Sequence, residues 1–309
     1  MRSFPVRLIV VSLVILAGLA APAQEAPFKR QEDVIYGRKF GSALTFDVFT
    51  PRAKPNGAAV VMVVSGGWFS GHEAIKSNFL PWADVFTRRG YTAFAVVHGS
   101  QPKYAIDEIL PDLHRAIRFI RSRAGEYGID PERLGITGAS AGGHLSLMQG
   151  VTGKDGDPQA KDPLDRVSSR VQAVGCYFPP TDFLNYGEPG KLILGAMPER
   201  IKPAFDFREP DAKTGGFRRV TDPEKFKALL RQTSPITHVS AQAAPSLILH
   251  GDKDVLVPLQ QAEVMVARLK EAGVPAELII KPGAGHGWKG MEQDHEKIAD
   301  WFDRHLAKK

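Results

Sequence analysis

The sequence predicts an α/β fold in which a mostly parallel central sheet of about eight strands is flanked by helices. Three observations predict it. Short apolar, strand-like runs alternate with amphipathic helical stretches, the pattern of parallel strands joined by crossover helices. The chain has 309 residues, 43% of them hydrophobic, and no repeat or low-complexity tract, which suits one large domain with a deep core. Finally, Gly138-Ala139-Ser140-Ala141-Gly142 directly follows the strand-like run Arg133 to Thr137, the setting of a serine presented on a sharp strand-to-helix turn.

The elements can be justified in chain order. Residues 1–23 carry Arg2 and Arg7, an apolar run from Leu8 to Ala21, and the small-x-small end Ala21-Pro22-Ala23, the three parts of a secretory signal. The apolar run is about 14 residues, short of the roughly 20 needed to span a bilayer, so cleavage near Ala23 and export to the periplasm or the outside are expected, without a stable membrane anchor. Residues 24–309 then form a single domain. The run Leu44 to Phe49 comes before any helix and is expected at an antiparallel edge. Strands follow at 58–64, 92–97, 133–137, 171–177, 246–250 and 276–281. Ile106, Ile109, Leu110, Leu113, Ile117 and Ile120 fall at helical spacing, with Asp107 as the expected cap and Pro111 in the first turn. Gly128-Ile129-Asp130-Pro131 turns the chain into the strand before Ser140. Residues 179–240 break the alternation with prolines, glycines and charges, and are expected to form a cap over the site.

Composition excludes some functions. The formal charge of +6 falls to +4 without Arg2 and Arg7, and no basic block interleaves with aromatics, so nucleic acid is not an expected partner. Cys176 is the only cysteine, so no internal disulfide can form, and it reads as a small buried hydrophobe. No metal or other cofactor is implied. Oligomeric state is not set by the sequence.

A serine hydroxyl needs an adjacent base that is itself oriented by a third group. Turns of this type use the chain order serine, acid, histidine. Of His144, His238, His250, His286, His295 and His305, only His286 stands in a glycine-rich loop straight after a strand, Pro282 to Trp288. His295 and His305 read as solvated positions of the last helix; His144 and His250 read as packing or supporting residues. The acid is expected in Gly251 to Pro258, where Asp254 is favoured and Asp252 is assigned to stabilising the turn. Oxyanion donors are expected from the amide of Ala141 and from Gly66 or Gly67, which follow the third strand. Trp68, His98, Phe178 and Trp288 are candidate pocket residues, each equally readable as core.

Assembled in this way, the chain resembles the α/β-hydrolase superfamily, and within it the small-molecule esterases that include hormone-sensitive-lipase-like, acetyl esterase and xylan or feruloyl esterase-like enzymes. The resemblance runs from about Leu44 to the C terminus and is strongest from Tyr127 to Leu145. Gly251 to Pro258 matches the G-x-x-D-x-x-V-P acid loop and Gly285-His286-Gly287 is similar to the histidine loop. Two stretches depart. Val64-Ser65-Gly66-Gly67-Trp68 stands where relatives read H-G-G-G-W, and Val97 to Tyr104 stands where they often read Y-R-L-A-P-E. The resemblance implies a cofactor-free serine carboxylesterase using Ser140, His286 and Asp254 through an acyl-enzyme, on a small-molecule or carbohydrate ester, for example an acetyl or feruloyl ester. Alternatives are a prolyl-oligopeptidase-type serine peptidase, for which the chain lacks room for the usual filtering domain, a long-chain lipase, for which the cap lacks a long apolar helix, and a non-catalytic binding protein.

Overall fold

The computed structural model describes residues 26–308; the signal-peptide reading of residues 1–23 lies outside them. Strands β1 (Phe28–Lys39), β2 (Ser42–Pro51) and β3 (Ala59–Val64) open the domain. There follow α1 (Leu80–Arg88), β4 (Thr92–Val97), α2 (Ile106–Ser122), the single turn α3 (Ala124–Tyr127), β5 (Leu134–Ala139), α4 (Ala141–Thr152) and β6 (Ala173–Tyr177). After a long excursion come β7 (Arg208–Asp211), β8 (Gly216–Arg219), α5 (Pro223–Gln232), β9 (Ser246–Gly251), α6 (Gln260–Glu271), β10 (Ala276–Lys281) and α7 (His295–His305).

Eight strands form one sheet in the order β1-β2-β4-β3-β5-β6-β9-β10. β1 pairs antiparallel with β2, and β2 with β4; the remaining pairs are parallel. The parallel strands are apolar because both faces are covered. In β3, Val60 and Met62 pack with α1 and α7, while Val61 and Val63 face the core of α2, α4 and α6. β1 is the strand of this eight-stranded sheet absent from the sequence reading, which also gave no strand at β7 or β8. Half of the β1 residues from Phe28 to Lys39 are charged, and the strand stands at the sheet edge, where such residues keep an unpaired strand edge from recruiting another chain.

Helix α2 starts one residue earlier than its expected cap. Ala105 is the N-cap, the Glu108 carboxylate accepts the Ala105 amide at 3.0 Å, and Asp107 sits inside the first turn, where the helix dipole favours it. Pro111 consequently lies in the second turn rather than the first. Residues 179–240 hold 3₁₀ turns, the β7–β8 hairpin and α5. Their docking is polar as well as apolar: Thr181 donates its hydroxyl to the Gln261 carbonyl at 2.6 Å, and Tyr186 donates to the Leu256 carbonyl at 2.8 Å. Cys176 is buried in β6, where desolvation pushes its thiol pKa up and leaves it inert. Among the described residues no helix is long and apolar enough to cross a membrane.

Candidate active site

Ser140 sits between β5 and α4 with φ 54° and ψ −119°, a conformation rare for a residue with a side chain. The glycines around it are required by contact. A Cβ on Gly138 would meet the Gly142 carbonyl carbon at 2.5 Å, and one on Gly143 would meet the Tyr177 carbonyl oxygen at 2.9 Å. The turn is pinned to the neighbouring strand by the Ser140 amide, which donates to the Tyr177 carbonyl at 2.9 Å. Gly138→Ala is therefore expected to cost about 1–3 kcal/mol or more, since both colliding atoms are backbone, and a urea melt against wild type measures it.

The structure brings Ser140, His286 and Asp254 into one chain of hydrogen bonds. The Ser140 hydroxyl donates to His286 Nε2 at 2.9 Å, and His286 Nδ1 donates to Asp254 Oδ2 at 2.7 Å. Asp254, 8% exposed, accepts the Leu256 and Val257 amides on Oδ1, both at 2.9 Å. Burial by itself would raise its pKa. The nearby His250 ring, with Nε2 3.5 Å from Oδ2, and hydrogen bonds from His286 and the Val257 amide outweigh that and hold the carboxyl well below the usual range, so it is ionised at neutral pH. Asp252 is exposed, and its Oδ1 accepts the Gly283 amide at 2.6 Å, tying the acid loop to the histidine loop.

Opposite Ser140 lies the loop after β3. The Gly66 amide donates to the Phe69 carbonyl at 3.0 Å, and the Phe69 amide returns the bond to Gly66 at 3.0 Å. That bridge commits the Gly66 amide, so Gly66 is not available as an oxyanion donor in this conformation and the expectation narrows to Gly67. Gly67 has φ 57°, with its carbonyl held by Gln101 Nε2 at 3.1 Å. The same Nε2 bonds the Arg200 carbonyl at 3.0 Å, joining the loop to the 179–240 segment. Ala141, the first residue of α4, supplies the amide on the other side.

The predicted pocket residues fare differently. Trp68 is 2% exposed and packs behind the loop rather than facing a ligand. His98 is 2% exposed; its Nδ1 donates to the Gly99 carbonyl at 2.7 Å and burial lowers its pKa to about 4. Phe178 is 4% exposed and lies against the His286 ring, centroids 4.4 Å apart, as a wall for the histidine. Trp288 is half-buried, and its Nε1 donates to Asp294 at 2.7 Å, which anchors the histidine loop. His295 is buried, not solvated as expected. Its Nδ1 is hydrogen-bonded with the Tyr177 hydroxyl at 2.8 Å, and desolvation lowers its pKa to about 4.

Next to Ala139 and Gly66 the surface is hollowed, and most of the residues lining that space lie outside the sequence motifs. Two cavities of about 400 and 370 Å³ share Ser65, Asn78 and Phe79. One reaches Ala139, Met291 and Glu292; the other reaches Phe69 and Ser100. A further cavity of about 550 Å³ lies between α2, α4 and the end of α5, and it touches neither the turn at Ala139 nor the loop after β3. Glu32, Asp47 and His72 offer ligand atoms within 4.8 Å of one another, but the Asp47 carboxylate is already met by Arg30, His72 and the Asp33 amide.

The chain has relatives in sequence and in fold among known proteins. A sequence profile described as BD-FAE matches residues 46–269. The chain is 28% identical over 242 residues to the probable carboxylic ester hydrolase LipM of Mycobacterium tuberculosis, covering 77% of this chain and 51% of that one. It is 29% identical over 260 residues to esterase LipC of the same organism, covering 82% and 59%. The chain thus spans little more than half the length of these curated relatives. Among solved structures, a truncated form of a carbohydrate esterase from gut microbiota superposes with TM-score 0.73 at 26% identity, covering 94% of this chain and 100% of that one. The apo form of Thermogutta terrifontis esterase 2 gives TM-score 0.67 at 25% identity, covering 94% and 98%.

Proposed function

The chain belongs to the BD-FAE family and has the α/β-hydrolase fold, and from that premise we propose that it is a serine carboxylesterase working through an acyl-enzyme. The observation that carries the reading is the unbroken chain from Ser140 Oγ to His286 to Asp254, at 2.9 and 2.7 Å, on a turn held at positive φ. In the first half-reaction His286 Nε2 takes the Ser140 proton as Oγ bonds to the ester carbonyl carbon. The amides of Ala141 and Gly67 receive the oxyanion, and Asp254 stabilises the imidazolium through Nδ1–H. The proton passes to the leaving alkoxide as the ester bond breaks. Water then repeats the sequence on the acyl-enzyme, releasing the acid and restoring Ser140.

The alcohol or acyl group is read as occupying the cavities beside Phe79 and Asn78, where an apolar wall meets amide and hydroxyl groups. The carbohydrate esterase among the structural relatives supports a sugar ester, with acetyl and feruloyl esters the first to assay. A fluorophosphonate is expected to label Ser140 alone, as mapped by peptide mass spectrometry, and labelling elsewhere on folded protein would sink the assignment. Comparing p-nitrophenyl acetate with an aminoacyl anilide separates ester from amide preference. Residues 1–23 are proposed as an export signal on sequence grounds, and the N-terminal sequence of exported protein is expected to begin just after Ala23.

A further inference from the structure

We propose that His144 is a positioning residue for the oxyanion site: by accepting the Trp68 indole N–H it holds the Gly66-Gly67-Trp68 loop at the distance from α4 that lets Gly67 and Ala141 donate to one point. The inference rests on the reading of Ser140 as an acyl-transfer nucleophile. An oxyanion site built from two segments is only as good as their spacing, because each donor must come within about 3 Å of the same oxygen. Here the segments are the start of α4 and the loop after β3.

His144 lies one helical turn beyond Ser140, its amide donating to the Ser140 carbonyl at 2.9 Å, and it is 0% exposed. Its Nε2 is 2.7 Å from the Thr233 carbonyl at the end of α5. A carbonyl only accepts, so Nε2 carries the proton. Nδ1 of the neutral ring is then a lone-pair acceptor, and Trp68 Nε1 donates to it at 3.2 Å. Desolvation lowers the His144 pKa to about 4, so this donor and acceptor pattern persists through the neutral range.

The loop needs such a restraint. Trp68 has φ 62° and follows Gly67 at φ 57°; bulky residues hold that region only where the surroundings impose it. Phe205 and Phe183 pack the indole edgewise, with centroids at 5.2 and 6.1 Å, but such contacts leave a ring free to slide. The Nε1–H is the indole's one polar handle. Gln101 holds the loop from the opposite side, through the Gly67 and Trp68 carbonyls. The His144 bond is the one that ties it to the helix bearing Ser140. Because the other nitrogen reaches the Thr233 carbonyl, the same ring also links the loop to the base of the cap.

The two ring nitrogens can be tested separately. In His144→Asn the amide oxygen falls near the position of Nδ1 and keeps an acceptor for Trp68, while the bond to Thr233 is lost. In His144→Gln the longer amide reaches Thr233 and leaves the indole N–H without a partner. Trp68→Phe removes that N–H and keeps an aromatic ring. With p-nitrophenyl acetate, His144→Gln and Trp68→Phe are each expected to lower kcat roughly 10- to 100-fold, with KM and the His144→Asn kcat both within about 3-fold of wild type. The double variant His144→Gln/Trp68→Phe is expected to be no slower than the slower single one. Melting curves establish that each variant is folded. Equal kcat losses in His144→Asn and His144→Gln, or a folded Trp68→Phe with the wild-type kcat, would overturn the inference. Wild-type protein that is neither labelled at Ser140 nor active on esters overturns the esterase reading instead, and the two failures are told apart by that control.

Discussion

Ser140→Ala is expected to lower kcat/KM for p-nitrophenyl acetate by about 10⁴- to 10⁶-fold, the largest loss from any single substitution in this protein. The expectation follows from what the alanine removes. In the proposed mechanism Oγ forms the acyl bond, and no neighbouring hydroxyl or thiol replaces it: Cys176 is buried in β6 with its thiol neutral, and the Ser65 hydroxyl is buried with no histidine bonded to it. The fold should survive. Alanine keeps the Cβ already accommodated at φ 54°, and the backbone bond from residue 140 to the Tyr177 carbonyl is unaffected. One side-chain hydrogen bond, to His286, is lost, which costs about 0.5–1.5 kcal/mol. Steady-state kinetics beside a thermal melt check both halves. A variant keeping more than about a hundredth of wild-type kcat/KM would show that Ser140 is not the attacking group, because catalysis left to oxyanion donors and binding alone lies far below that. Adding His286→Ala to Ser140→Ala should cost almost nothing more, since the base has no proton to take once Oγ is gone.

The three hydrogen-bonded side chains of the proposed triad were legible because each sits in a local signal with a physical cause. The glycines around Ser140 are forced by backbone atoms 2.5–3.0 Å from where a Cβ would stand, and the glycines around His286 mark a tight loop straight after β10. Asp254 was separable from Asp252 by its place in the acid loop. The pocket was not legible. Trp68, Phe178 and Trp288 neighbour the motifs in sequence, but adjacency does not say on which side of the backbone an aromatic ring falls. Two of the three fall behind the catalytic loops, among the buried core residues. Phe79, Asn78 and Met291, which do border the cavities, stand on a π-turn and a 3₁₀ turn whose placement comes from tertiary packing. The choice between Gly66 and Gly67 was equally hidden, since it is made by the register of one two-residue bridge to Phe69. Strand β1 escaped notice because a charged edge strand has no apolar run to recognise.

Asp254→Asn is expected to lower kcat by about 10⁴-fold with little change in KM, while Asp252→Asn stays within about 10-fold of wild type. The carboxylate at 254 has two tasks. Oδ1 accepts two backbone amides and fixes the loop, a role an asparagine oxygen can keep. The asparagine nitrogen then takes the place of Oδ2, where it meets the Nδ1–H of His286 donor to donor. His286 escapes the clash by moving its proton to Nε2, which presents a donor to Ser140 instead of the lone pair the reaction requires. His250 cannot compensate, because its Nε2–H is already given to the Val257 carbonyl at 2.8 Å. Acid does not mimic the substitution. The folded pKa of Asp254 lies below its unfolded value near 3.9, so its stabilisation is complete above about pH 4 and is lost only as pH falls through the folded value. Loss of wild-type activity at any pH above about 4 therefore does not report protonation of Asp254. Asp252 makes the control informative: it accepts one loop amide, is exposed, and has no bond to the imidazole, so its removal loosens the histidine loop without changing the tautomer. If Asp252→Asn lost as much as Asp254→Asn, orientation of the loop rather than placement of the proton would be what the acid contributes.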